Sequence, residues 1–226
     1  MARYGQIIPC NWSHSDTIQW IRQDTPLGFA VAEARNLIVD HFLAQEFEWL
    51  FFIDHDVVLP PDTFVKMNQY MLKAEVPVVT GLYYAKSHPA EPLLYRGRGN
   101  SYYSGWKLGD KVWVDGIPMG CTLIHRSLLK VMAKDAPLYS VPGHRKIKQV
   151  FDTPSGAFYD PEKGYQGFAG TEDLAWCNRI LAGHYLKKAG WPKVASKKYP
   201  FLVDTSLFCF HITEQGQKYP LGGYSQ

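Results

Sequence analysis

The stretch Trp-Leu-Phe-Phe-Ile-Asp-His-Asp, residues 49–56, decides the fold prediction. Its first five residues are all apolar, which is typical of a strand buried on both faces of a parallel sheet. The run ends at Asp54, and a second acid follows at Asp56. Because unpaired charges near a core are costly, a buried strand that delivers two carboxylates indicates that they have a use.

Strands and helices alternate around this stretch. Helical spacing of apolar residues predicts a helix from about Gly28 to Ala44 and another after the Pro60–Pro61 pair. Apolar runs predict strands at residues 6–10 and 76–84. This alternation is typical of a doubly wound α/β domain, in which ligands bind beyond the carboxyl ends of the strands. The two aspartates fall at such an end.

The second half of the chain continues the pattern between two irregular regions, residues 85–115 and 137–167. Its further predicted elements are strands at 112–117, 121–125, 201–204 and 207–211, and helices at 127–133 and from 171 to about 188. No linker-like stretch divides the chain, so we predict a single domain over residues 1–212. The Gly- and Tyr-rich residues 213–226 are predicted to form a flexible tail.

Composition excludes several functional classes. The net charge of +3 is only weakly basic, so no nucleic-acid partner is predicted. No apolar run approaches the roughly 18 residues of a membrane span, so no transmembrane segment is expected. The four cysteines form no Cys-x-x-Cys pair, and the N-terminal residues lack the layout of a secretory signal. Reduced thiols and a cytoplasmic location are therefore predicted.

An ordered set of short motifs resembles the GT-A fold of nucleotide-sugar glycosyltransferases, especially family 2 and its phage-type relatives. The matching stretches are residues 34–36, 52–56, 79–84, 120–126, 171–173 and 210–211. The set keeps the family's order, which makes it more specific than any one member. The resemblance implies a GT-A-like (Rossmann-like) α/β fold with a mixed, mostly parallel central sheet flanked by helices.

The resemblance also implies a donor site for a nucleoside-diphosphate sugar and a Mn²⁺ or Mg²⁺ ion. Asp56 is the expected metal ligand, His211 the expected late histidine of the metal shell, and Asp54 the acid that faces the metal and the donor's ribose or sugar. Such a cation bridges the diphosphate and stabilises the leaving nucleotide. The other residues expected at the donor site are Pro9, Asn11, Asp24, Arg35, Asn36 and Gly120.

Arg35 is expected to contact either the donor phosphate or the carboxylates of the metal site. The acids of the Thr171-Glu172-Asp173 stretch supply the expected catalytic groups. Asp173 is the candidate general base that deprotonates the acceptor hydroxyl with inversion, and Glu172 holds the acceptor or orients the base. Retention stays open, since the same fold supports both outcomes. The acceptor is a carbohydrate, a lipid-linked molecule or a protein.

Two other functions remain open from the residues. The stretch at 51–59 also resembles the first motif of haloacid-dehalogenase-like phosphatases, in which Asp54 would be the nucleophile of a Mg²⁺-dependent reaction. Thr80 would then match a second motif, and Asp110 with Asp115 a metal motif. A non-catalytic carbohydrate-binding relative is the third possibility.

Overall fold

The structure is a computed structural model that describes residues 25–97 and 101–222 as a mixed α/β domain. The helices are α1 (Val31–Leu43), α2 (Thr63–Lys73), α3 (Arg126–Asp135), α4 (Glu172–Ala182), α5 (Tyr185–Lys188) and α6 (Pro192–Ala195). The strands are β1 (Trp49–Ile53), β2 (Val57–Val58), β3 (Val78–Leu82), β4 (Lys111–Val114), β5 (Cys121–His125), β6 (Leu138–Tyr139), β7 (Ile147–Lys148), β8 (Ser155–Asp160), β9 (Gly164–Ala169), β10 (Phe201–Phe208), β11 (Phe210–Ile212) and β12 (Lys218–Tyr219).

The central sheet has five strands in the order β1-β5-β3-β10-β4. Strands β1, β3 and β10 run in one direction, and β5 and β4 run against them. Among the described strands of this sheet, β3 and β10 form the one parallel pair. The prediction of a mostly parallel sheet is therefore wrong, whereas the prediction of a mixed sheet with helices is confirmed.

The carboxyl ends of β1, β3 and β10 meet at one edge of this sheet, and β5 begins there. Asp54 follows β1 at this edge, and its backbone N–H donates to the carbonyl of Gly120 at 3.0 Å, just before β5. The register of β10 shifts between Asp204 and Phe208, after which the chain leaves the sheet as β11. Strand β11 then pairs with β2 on one side and β12 on the other, so His211 lies opposite Val57.

Local differences from the predicted elements have local causes. The helix predicted from 171 to about 188 breaks after Ala182, where His184 adopts a left-handed conformation with φ 53°. The β8–β9 hairpin spans residues 155–169, of which 155–167 belong to the region predicted as irregular. Within the segment predicted as a flexible tail, Lys218–Tyr219 forms β12 and pairs with β11.

The core lies between the sheet and the helices that cover it. Its largest fully buried side chains include Trp176 of α4, Met67 of α2 and Phe201 of β10. Strand β1 is only half-buried, and Ile53 is 40% exposed, unlike the two-face burial predicted for it. No helix in the described ranges is long and apolar enough to cross a membrane.

Candidate functional site

Asp56 and His211 meet where β2 and β11 pair. The backbone N–H of Ile212 donates to the carbonyl of Asp56 at 2.8 Å, which fixes the two chain segments side by side. The side chains then converge, with Nε2 of His211 3.2 Å from Oδ2 of Asp56. Nδ1 of His211 lies 2.9 Å from the carbonyl oxygen of Tyr84. Because a carbonyl only accepts, Nδ1 must carry a proton there, and Nε2 is the nitrogen that faces the carboxylate.

The Asp56 carboxylate is an anchor for positive charge. Lys86 Nζ lies 2.5 Å from the same Oδ2 that faces His211. Burial alone would raise the pKa of Asp56, but hydrogen bonds from His211 and Lys86 outweigh it and hold that pKa well below its usual range. The carboxylate is 23% exposed, and its Oδ1 takes no hydrogen bond from the described part of the chain. Asp56 therefore stays ionised, and its Oδ1 has no partner within residues 25–97 and 101–222.

Arg35 joins Asp54 to the first turn of α4. Its Nη2 donates to Oδ2 of Asp54 and its Nε to Oε1 of Glu172, each at 3.2 Å. The guanidinium is buried and lies over the ring of Phe52, 5.3 Å from the centroid. Burial alone would lower the pKa of Arg35, but the Asp54 and Glu172 carboxylates raise it overall. Arg35 is thus a permanent buried cation that holds two carboxylates from distant parts of the chain. Of its two expected partners, the donor phosphate or the metal-site carboxylates, the structure shows the carboxylate of Asp54.

Asp173 follows Glu172 in the first turn of α4. Its Oδ1 accepts a hydrogen bond from the backbone N–H of Leu174 at 2.7 Å. Burial raises the pKa of Asp173 and the Glu172 carboxylate adds to the rise, although a hydrogen bond from Thr171 opposes it. A carboxylate with a raised pKa is a stronger proton acceptor than an ordinary aspartate. The local environment therefore suits Asp173 to take a proton.

Gly120 can lie against the carboxylate of Asp54 because it has no side chain. A Cβ at this position would lie 2.9 Å from Oδ2 of Asp54, 2.8 Å from Val57 Cγ2 and 2.6 Å from the Tyr83 hydroxyl. The Gly120 N–H donates to that hydroxyl at 2.7 Å. Burial raises the pKa of Tyr83, with the Asp54 charge as a further cause, so the hydroxyl stays neutral. Any residue larger than glycine would therefore clash with its neighbours at this edge of the site.

Asn36 lies behind the site and acts on the backbone. Its Oδ1 accepts from the N–H groups of Val150 and Phe151, both at 2.8 Å. Its Nδ2 donates to the carbonyl of Phe151 at 2.8 Å and the hydroxyl of Tyr139 at 3.0 Å. The amide is buried with each of its groups bonded within the protein, so the expected contact with a donor nucleotide is replaced by a structural role.

The residues fit a divalent cation at Asp56 and His211. Adjacent ligands of an octahedral Mn²⁺ or Mg²⁺ ion lie about 3 Å apart, close to the 3.2 Å between Nε2 and Oδ2. Metal-bound histidines usually donate their other N–H to a carbonyl or carboxylate, as Nδ1 does to Tyr84. Within residues 25–97 and 101–222, no three acidic, histidine or cysteine side chains group closely enough to hold an ion. The structure thus brings together two of the three predicted ligands and places Asp54 with Arg35.

Three of the predicted donor-site residues, Pro9, Asn11 and Asp24, lie outside the described residues. Of the residues named for a phosphatase, Thr80 is buried inside the sheet, and its hydroxyl bonds to Thr122 and the carbonyl of Cys121. No sequence pattern indicates a role for Lys86. A single lysine after Tyr-Tyr-Ala has no motif, and its contact with Asp56 depends on the folded sheet.

Comparisons with known proteins add little to this geometry. No protein family model matches the chain, and no curated protein matches it. The chain is similar to the solved structure of A197 from STIV, with a TM-score of 0.47 and 19% identity over 82% of this chain and 69% of that chain. A likeness this low carries no argument about fold family or activity.

Proposed function

We propose that the protein is a metal-dependent glycosyltransferase that moves a sugar from a nucleoside-diphosphate sugar to an acceptor hydroxyl. The observation that carries the proposal is the Arg35 bridge. It joins the carboxylate after β1 to the acidic turn of α4 at 3.2 Å on each side. Asp54 is two residues from Asp56, and Glu172 is next to Asp173, so the bridge supports a single site that includes the cation-binding pair and the candidate base.

The donor end of the reaction belongs to Asp56 and His211. A Mn²⁺ or Mg²⁺ ion held there supplies Lewis-acid stabilisation of the charge that develops on the leaving diphosphate. Asp54, fixed by Arg35, faces the donor's ribose or sugar. Gly120 has no side chain, so the Asp54 carboxylate can lie directly against the backbone that leads into β5.

The acceptor end belongs to Asp173. Its carboxylate takes the proton of the acceptor hydroxyl as the oxygen bonds to the anomeric carbon. The bond from that carbon to the diphosphate oxygen breaks, and the nucleoside diphosphate leaves with the electron pair. Glu172 acts as a positioning residue, since its carboxylate is held by Arg35. Direct displacement of this kind inverts the configuration at the anomeric carbon.

The test is turnover of UDP-, GDP-, CDP- and dTDP-sugars with Mn²⁺ or Mg²⁺, followed as release of the nucleoside diphosphate. We expect one donor to be consumed in the presence of metal, and chelation to stop the reaction. Asp173→Asn should abolish transfer but retain binding of the nucleoside diphosphate. Asp135→Asn, at the far end of α3, is the matched control and should change neither.

Three outcomes would contradict the proposal. Failure with every donor and both metals would refute glycosyl transfer. If the same preparation released inorganic phosphate from p-nitrophenyl phosphate and lost this activity with Asp54→Asn, the phosphatase function would replace it. Tight carbohydrate binding without turnover would support the non-catalytic alternative.

A further inference from the structure

The ammonium of Lys86 lies beside the Asp56 carboxylate, at the oxygen where a bound cation would also lie. Its Nζ lies 2.5 Å from Oδ2 of Asp56, and the same oxygen is 3.2 Å from His211 Nε2. The two side chains of the ion pair are 30% and 23% exposed. One carboxylate oxygen therefore already has a cation beside it in the structure.

The backbone near Lys86 is anchored, whereas its side chain has room to move. The N–H of Ala85 donates to the carbonyl of Glu91 at 2.8 Å, and the N–H of Leu93 to the carbonyl of Tyr83 at 2.9 Å. These bonds close the segment at its base, and Ser87 follows in an exposed turn. A four-carbon lysine stem on a fixed backbone can move its ammonium by several ångströms through rotamer changes alone.

A divalent cation and the ammonium compete for Oδ2. An ion coordinated by Oδ2 and by His211 Nε2 would lie about 2.1 Å from each of them. With Nζ at 2.5 Å from the same oxygen, two positive charges would be in near contact. Repulsion between the two charges therefore favours departure of the ammonium when the ion binds at Oδ2. A diphosphate that arrives with the ion offers the ammonium a new anion.

We propose that Lys86 is a built-in counter-cation of the metal site. It holds the Asp56 carboxylate in place before a divalent cation binds, is displaced by that cation, and then pairs with the diphosphate of the donor. Lysine binds phosphate as a mobile point charge, which suits such a transfer. This inference rests on the proposed function for its second half, the pairing with a diphosphate. Its first half concerns the bare metal site alone.

The first experiment measures Mn²⁺ affinity by calorimetry with no nucleotide present. If the lysine-paired state is about 90% populated, Lys86→Gln should bind Mn²⁺ about tenfold more tightly than the wild type. Lys86→Arg keeps the charge and should bind close to the wild type. Lys188→Gln removes the same charge on α5, where Lys188 pairs with Asp135 at 3.4 Å, and should leave the affinity unchanged.

The second experiment measures binding of inorganic pyrophosphate at saturating Mn²⁺, a probe that needs no base or sugar pocket. Lys86→Gln should weaken it by about tenfold, the effect of one charge-assisted hydrogen bond. A second neutral variant, Lys86→Met, should reproduce both shifts, and circular dichroism verifies the fold of each variant.

Each result decides one half of the proposal. Equal Mn²⁺ affinity in Lys86→Gln and the wild type would overturn the counter-cation role. Tighter Mn²⁺ binding with unchanged pyrophosphate affinity would overturn the transfer to diphosphate. Failure of every sugar nucleotide to turn over, with the Mn²⁺ shift intact, would refute the glycosyltransferase and leave the counter-cation in place.

Discussion

Asp204 and Asp56 are both aspartates with a lysine partner, but they belong to different kinds of site. On Asp204, both oxygens are taken: Tyr70 donates to Oδ2 at 2.6 Å, and the hydroxyl of Ser206 donates to Oδ1 at 2.7 Å. Lys111 adds an ion pair at 3.2 Å, and the carboxylate is only 4% exposed. Asp56 is 23% exposed and holds its partners on one oxygen.

The comparison separates a structural carboxylate from one that is available to a ligand. A buried acid with every lone pair satisfied stabilises the strand that carries it, and no ligand can approach it. Asp56 retains the capacity to bind a ligand, because its Oδ1 takes no hydrogen bond from the described residues and the Lys86 ammonium on its Oδ2 has room to move. Both residues are aspartates, so the difference lies in whether both carboxylate oxygens or only one of them have hydrogen-bond partners within the described part of the chain.

The largest expected effect comes from the open carboxylate. Asp56→Asn should lower metal-dependent donor turnover by on the order of 10³-fold, because it removes several kcal/mol of charge stabilisation from the transition state. Asp204→Asn should retain wild-type turnover per folded molecule. The measurement is the initial rate of nucleoside diphosphate release, normalised to the folded fraction. Equal losses in the two variants would remove the distinction between the sites.

Stability should respond in the opposite order. Asp204→Asn should reduce the free energy of unfolding by about 2–4 kcal/mol, because it weakens hydrogen bonds to a buried charge and leaves Tyr70 and Ser206 with a poorer acceptor. Asp56→Asn should cost less than Asp204→Asn, because the ion pairs of Asp56 are partly exposed and its Oδ1 has no hydrogen bond to the described residues to lose. Urea unfolding of both variants provides the test, and a larger loss for Asp56→Asn would reverse the assignment of roles.

Gly120 tests whether the open site depends on close approach of the backbone. Gly120→Ala should cost about 1–3 kcal/mol, since its Cβ would meet the Tyr83 hydroxyl and Asp54 at under 3.0 Å. It should also weaken donor binding, because Asp54 must shift. Gly190→Ala has no crowding but has a left-handed φ of 90°, so it serves as a control for backbone strain without steric contact. Unchanged donor binding in a destabilised Gly120→Ala would separate packing from function.

The smallest effect is a difference in pH dependence between two acids. Burial alone would raise the pKa of Asp204, but hydrogen bonds from Tyr70 and Ser206 lower it overall. Its stabilising contribution is thus present above the ordinary aspartate pKa and is lost as the pH falls through the folded-state value. Burial raises the pKa of Asp173, so this acid costs stability at neutral pH and the cost is relieved as the pH falls through its raised pKa.

The expected result is a pair of opposite slopes. At pH 7, Asp173→Asn should have a higher free energy of unfolding than the wild type. This gain should be smaller than the loss in Asp204→Asn, and it should vanish near pH 3. The deficit of Asp204→Asn should also shrink toward low pH. Thermal unfolding across pH 3–8 measures both, and a gain for Asp173→Asn that persists at pH 3 would contradict the sign argued for Asp173.

Much of the site could be predicted from the sequence, because several of its residues belong to short local patterns. An apolar strand that ends in two acids places Asp54 and Asp56 at a strand end, and Thr171 before two acids begins α4. Strand direction could not be predicted. The apolar residues of β5 predict a buried strand, but they do not indicate whether it runs parallel or antiparallel to its neighbours. In the structure, β5 is antiparallel to both β1 and β3.

Contacts between distant segments were the other part that the sequence could not provide. Asn36 follows Arg35 in a motif, but the helix turns its amide toward residues 150–151 and leaves Arg35 facing the acids. Lys86 reaches Asp56 only because β3 and β1 end at the same edge of the sheet. These positions are set by packing between elements, for which short motifs carry no information.

The pairing of β11 with β2 has a consequence for the entropy of cation capture. Asp56 and His211 are far apart in the chain, and drawing two such groups together would carry a loop-closure cost in a disordered polypeptide. Here the Ile212 N–H to Asp56 carbonyl bond and the strand ladder meet that cost during folding. Under the proposed function, a cation would meet two ligands that already lie side by side, so its affinity should depend on the integrity of the short β12-β11-β2 sheet as well as on the two ligand side chains.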